Sequence, residues 1–180
     1  NDDYAGAYQL VEYFMASGTE HFMTVSLDLG EHDFTYVERV RGFRQAAADY
    51  SLELPDEDVL MLERHPHFTN QRKSAFLAVK RALRSGRCPE VILCVNDMIA
   101  SGAKQAIISE NLTGIQVAGY DYLLPELSAI GQFVTMQVPY ANMAQTALHL
   151  LNSPSERREK ILKLLPKLLT SHQLAEAVNA

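Results

Sequence analysis

Short, mainly apolar runs alternate along this chain with longer segments whose apolar residues recur every three or four positions. Residues 22–27, 59–62, 91–95, 115–119 and 133–138 read as strands, and residues 5–17, 33–50, 69–84, 98–110 and 140–151 read as helices. The punctuation agrees with that division. Gly18 stops the first helix, Asp33 and Thr69 stand at N-cap positions, Ser85-Gly86 closes the third helix, and Pro139 opens the last one. Strands without polar alternation, separated by helices of this length, are the mark of βαβ units and a parallel sheet, so the expected class is α/β.

Two of the strands end in the same way. Val91-Ile92-Leu93-Cys94-Val95 runs into Asn96-Asp97, and Ile115-Gln116-Val117-Ala118-Gly119-Tyr120 runs into Asp121. Ligands of open parallel sheets sit beyond the carboxyl ends of the strands, which makes these polar side chains candidate contacts. Asn96 offers a donor and an acceptor that can read a hydroxyl or an amide. Either it or Asp97 must cap the following helix, and Asp97 is the expected cap. Asp121 can accept two hydroxyl protons, as a polyol or sugar requires; its plain role is an Asx turn.

Two further residues are candidates by position. Arg39 lies on a helix whose apolar face carries Val37, Val40 and Phe43, from which it can reach a cleft or simply pair with Glu38. Phe68, between a strand and a helix, can stack on a sugar face or a base, or staple the helix that begins at Thr69.

Composition narrows the classes. With 180 residues and 47% hydrophobic content, the chain can bury a sizeable core. A net charge of −6 argues against a nucleic-acid-binding surface on these residues. No apolar run is long enough to span a membrane. The only cysteines, Cys88 and Cys94, suit a reducing compartment and lack the setting of a nucleophile. His65 and His67 have no third ligand nearby, so no metal is expected. There is no Gly-rich phosphate loop, no GxSxG, no HExxH and no CxxC, and with no cofactor signature an enzyme is not expected. The tail series Arg157, Arg158, Lys160, Lys163 and Lys167, interleaved with leucines, reads as a membrane-surface helix, a solvated helix or a packed edge strand.

Four segments, in order, resemble the effector-binding core of the LacI/GalR transcription regulators. Asp2-Asp3-Tyr4-Ala5-Gly6-Ala7-Tyr8 is similar to that family's DNxxGAY, and Glu38-Arg39-Val40-Arg41-Gly42-Phe43 to its ERxxGF. Val95 to Ala103 is similar to xNDxxAxGA, and Val117-Ala118-Gly119-Tyr120-Asp121 to VxGYD. The resemblance implies a type I periplasmic-binding-protein-like fold of two parallel-sheet, Rossmann-like lobes joined by hinge crossovers, with the first lobe only partly present. On that pattern residues 1–30 and 139–155 belong to the N-terminal lobe, and residues 31–138 with about 160–172 to the C-terminal lobe. It implies effector contacts at Arg39, Asn96 and Asp121 and an aromatic stacking contact at Phe68. The chain departs from the family at Gly18-Thr19, in the short loop 111–114, at Val138 where a Gln is frequent, and in the tail after Leu169.

The function implied is a cytoplasmic, homodimeric sensor that binds a sugar or sugar-like effector, a nucleobase less readily. DNA would be reached only through a domain outside this chain. Alanine at Arg39, Asn96 or Asp121 is expected to weaken the effector response with the fold intact. The competing reading is a periplasmic sugar-binding protein of a transporter, which shares the fold and differs in the segment upstream.

Overall fold

The computed structural model describes residues 1–27, 34–63, 69–123, 133–152, 162–170 and 173–174. Its elements follow the sequence pattern closely. Helix α1 (Asp3–Met15) leads into β1 (Phe22–Leu27), α2 (Phe34–Asp49), β2 (Val59–Leu62) and α3 (Thr69–Arg84). Then follow β3 (Val91–Cys94), α4 (Asp97–Ser109), β4 (Gln116–Asp121), β5 (Val134–Gln137), α5 (Tyr140–Asn152) and β6 (Lys167–Leu169). Asp2 caps α1, its carboxylate accepting from the Ala5 N–H at 3.2 Å.

One six-stranded sheet contains all the strands, in the order β2-β1-β3-β4-β5-β6. The first five are parallel and β6 joins the edge antiparallel, pairing Met136 with Leu168. Of the three readings open for the basic, Leu-rich tail, its described part is thus an edge strand; Arg157, Arg158 and Lys160 lie outside the described residues. Every residue of β1 and β3 is buried; β3 is apolar throughout, and β1 buries Thr24 and Ser26 along with its apolar residues. The helices cover the sheet as two pairs, α1 with α2 and α3 with α4. Right-handed crossovers put the pairs on opposite faces, because the chain turns one way from β1 to β2 and the other way from β3 to β4. The strand order therefore reverses between β1 and β3, the position at which an open α/β sheet forms a crevice beyond its carboxyl edge.

The expected division into lobes is corrected at the N-terminal end. Residues 1–27 do not form a unit apart from 34–123: β1 pairs with both β2 and β3, and α1 packs on α2. A strand buried on both faces must also be paired on both edges, and β1 finds its neighbours only in this sheet. Helix α5 behaves differently. It has an amphipathic sequence but no buried residue, and Leu148 and Leu151 are 60% and 62% exposed.

Each helix pair is closed by a glycine at its crossing. A side chain at Gly42 would meet the Tyr4 carbonyl and lie 2.8 Å from the Ala7 Cβ; one at Gly102 would meet the Arg72 carbonyl and lie 2.9 Å from the Ala75 Cβ. Backbone stands behind both contacts and cannot swing aside. Gly42→Val should therefore lower stability by about 1–3 kcal/mol, read as a fall in the urea midpoint at unchanged slope.

Candidate functional site

The site forms where α1 and α2 begin and β3 and β4 end. Helix α2 is amphipathic enough to cover the sheet, yet one residue of its inner face is Arg39, only 2% exposed. A buried guanidinium must have its N–H groups satisfied. Its Nε donates to the Asp3 carboxylate at 2.8 Å, and Nη2 pairs with the Asp121 carboxylate at 2.7 Å. Nη1 donates to the Val95 carbonyl at 2.6 Å, and the guanidinium carbon lies 3.8 Å from the Tyr120 ring centroid. The Asp121 carboxyl is raised above its usual range by burial, with the Arg39 charge opposing that shift. The plain reading of Arg39 as a partner of Glu38 is corrected: Glu38 pairs with Arg41, two residues beyond Arg39 and facing solvent.

The expected cap is corrected: Asn96, not Asp97, caps α4, the Asn96 Oδ1 accepting from the Ile99 N–H at 2.9 Å. Asp97 points into the protein, where Oδ1 accepts from the Thr135 hydroxyl at 2.6 Å and Oδ2 from the Tyr122 N–H at 3.0 Å. Asn96 is only 1% exposed, and the other end of its amide is held as well: Nδ2 donates to the Tyr36 hydroxyl and to Gln71 Oε1, each at 3.0 Å. One side chain thus terminates the helix and, through both of its amide protons, links α4 to Tyr36 and Gln71.

Three of the four candidates, Arg39, Asn96 and Asp121, are brought to one place; Phe68 lies outside the described residues. The structure adds Asp3, Tyr36, Gln71 and Tyr120. Asp3 had a signal, since it stands in the DNxxGAY-like segment, but its pairing with Arg39 spans 36 positions of sequence. Tyr36 and Gln71 had none beyond helical position. Buried Cys94 has its thiol pushed well up by burial and by the Asp97 charge, so it is a core residue. Among the described residues no cluster of His, Cys, Asp or Glu could hold a metal, and no helix is long and apolar enough to cross a membrane.

This arrangement sets buried, mutually paired polar side chains at the carboxyl edge of the sheet, near the reversal of strand order. The model of the periplasmic binding proteins and sugar-binding domain of the LacI family matches residues 1–149, and the chain belongs to that family. Its fold is the type I periplasmic-binding-protein-like α/β fold. Among similar proteins is the "Probable HTH-type transcriptional repressor ExuR" of Bacillus subtilis, 28% identical over 91% of this chain and 49% of that protein. The HTH-type transcriptional repressor PurR of Aliivibrio fischeri is 26% identical over 92% of this chain and 49% of its own length. The chain thus spans about half the length of these relatives. A solved LacI transcriptional regulator from Bacillus cereus superposes with a TM-score of 0.78 at 21% identity, covering 94% of this chain and 60% of that one. The Caulobacter myo-inositol binding protein does so at 0.76 and 24% identity, covering 97% and 60%.

Two outcomes follow from the buried charges. Arg39→Met would leave Asp3 and Asp121 facing each other with no cation between them. Stability should fall by about 3 kcal/mol, the lower end for a broken buried pair because both carboxylates keep some water contact; chemical denaturation reads it. The expectation that Arg39 can be replaced with the fold intact is revised accordingly.

Asp97 supplies the second outcome. Burial raises its carboxyl from 3.8 to about 7, against the lowering effect of the Thr135 and Tyr122 hydrogen bonds. Between those values the folded protein holds a proton that the unfolded chain has released. This contribution to stability is therefore complete below pH 3.8 and is lost as pH rises to about 7. Asp97→Asn should remove that component, so that the difference in melting temperature between variant and wild type moves in the variant's favour from pH 4 to about pH 8.

Proposed function

We propose that this chain is the ligand-sensing lobe of a bacterial transcription regulator, binding a small polyhydroxyl effector, most readily a sugar, against Arg39, Asn96, Asp121 and Phe68. The observation that carries the reading is the Arg39 cluster. Two carboxylates and the Val95 carbonyl converge on a rigid guanidinium at the carboxyl ends of β3 and β4, next to the Asn96 amide in the chain. Such groups suit an uncharged ligand rich in hydroxyls, which donates to carboxylates and accepts from an amide. The named repressors among the relatives support the regulatory part.

On this reading the cleft is completed by a second lobe, to which α5 and the rest of 139–155 belong. The exposed leucines of α5 support that placement, since an amphipathic helix needs a surface to cover. Closure of two lobes on the effector then shifts the balance between states that differ in DNA affinity. DNA is held by a domain outside these residues, the assembly is a homodimer in the cytoplasm, and the role is binding rather than catalysis. The similarity to the Caulobacter myo-inositol binding protein favours a second reading, a periplasmic solute-binding protein, at the level of fold. The segment upstream separates the two, being a helix-turn-helix in one case and a secretory signal in the other.

The test is calorimetric titration of the full-length protein with aldohexoses, cellobiose, myo-inositol, hexuronates and purine bases. One of the uncharged sugars or polyols should bind, and Asn96→Ala and Asp121→Ala should each weaken it roughly tenfold to a hundredfold, the worth of a hydrogen bond to a charged or buried group. Binding that both substitutions leave unchanged would show that the effector sits elsewhere.

A further inference from the structure

We propose that Asp97 is a positioning residue, which meets no effector itself but holds the turn carrying Asp121 by tying that turn to strand β5. The inference rests on the reading of Asp121 as an effector contact. Its ground is the backbone just past β4. Asp121 and Tyr122 are consecutive residues with φ of +96° and +53°, a left-handed conformation that costs energy for side chains other than glycine and is sustained only where its surroundings impose it.

Asp97 imposes it from below. One oxygen of its carboxylate takes the N–H of Tyr122, inside that left-handed pair, and the other takes the hydroxyl of Thr135 on the neighbouring strand. The carboxylate also lies flush against β4. A side chain at Gly119 would run into Asp97 Oδ1 and lie 2.9 Å from the Phe133 ring, so the strand must be bare at that point. Asp97 is not needed as a cap, because Asn96 has that task.

A carboxylate kept 4% exposed with no cation in direct contact among the described residues is costly, and a neutral residue would fill the same space more cheaply. What the neutral apolar residue could not do is accept from two donors on two different strands. The groups that act on it electrostatically are Asp121 at the end of β4, Arg39 on α2 and Cys94 at the end of β3. The tie has a direction as well. Thr135 lies three residues before Val138-Pro139, where the chain leaves the sheet for α5. Movement of the Asp121 turn is thereby coupled to the strand that leads out of the lobe.

The experiment follows two resonances of the full-length protein without any ligand, the backbone amide of Tyr122 and the side-chain carboxyl carbon of Asp121. In Asp97→Ala, Tyr122 amide exchange should accelerate about tenfold, as expected when the hydrogen bonds that protect an opening segment are lost, and the Asp121 signal should move. Asp97→Asn should restore both, because Nδ2 can donate to Thr135 Oγ1 while Oδ1 accepts from Tyr122. Should Asp97→Ala fail to fold, Thr135→Val removes one of the two bonds and should still accelerate Tyr122 exchange severalfold. An unchanged Tyr122 amide and Asp121 signal in a folded Asp97→Ala or Thr135→Val protein overturns the proposal, and so does an Asp97→Asn protein as disturbed as the alanine variant. A silent Asp121→Ala in the titrations above would instead sink the effector reading and leave these resonances as they are.

Discussion

The burial of one guanidinium organises this lobe. Arg39 belongs to α2, its carboxylate partners to α1 and to the end of β4, and the carbonyl it binds to the end of β3. Four elements that are far apart in sequence are thus oriented by one planar group, whose donors point in fixed directions. Packing alone would fix these elements only to within the slack of apolar contacts. Hydrogen bonds from a rigid fork fix the carboxyl edge of the sheet much more narrowly, and a buried charge penalises any arrangement that leaves it unpaired.

In the structure described, the polar groups of the crevice satisfy one another. The Asn96 amide has its acceptor on the α4 cap and its donor on Tyr36 and Gln71, and the Asp121 carboxylate faces Arg39. A ligand that uses Asn96 has to replace Tyr36 or Gln71 rather than fill an empty valence. Exchange of that kind costs little when the ligand supplies an equivalent hydroxyl and much when it does not, which is how such a site discriminates. Because Tyr36 sits on α2 and Gln71 on α3, the exchange also loosens a link between the two faces of the sheet.

The candidate site was partly legible in the sequence. Asn96 and Asp121 could be singled out because each follows a strand whose apolar run ends abruptly, and chain position alone carries that information. Arg39 could be suspected, but its plain reading pointed to Glu38, because local spacing cannot tell which of two neighbouring arginines faces inward. Helical phase decides it: Arg39 falls with Gly42, Phe43 and Ala46 on the buried side, and Arg41 does not. Asp97 was misassigned for a similar reason. Two adjacent polar residues at a helix start are equivalent as caps until the backbone shows which of them lies outside the first turn.

The alternation of apolar runs and helical periods was enough to determine the class, the first five strands and, within a residue or two, the helix ends; β6 was only one of three readings of the tail. These depend on local burial and on backbone propensity, both of which are written into neighbouring residues. The sheet order was not. The assignment of β1 to a separate lobe failed because strand pairing is a relation between distant segments, and nothing within Phe22–Leu27 names β2 and β3 as its neighbours. Only the folded chain decided that Asp3, Arg39 and Asp121 meet and that the left-handed turn after β4 is held by Asp97. Electrostatic pairing and close packing depend on three-dimensional distance, which the linear order of residues does not contain.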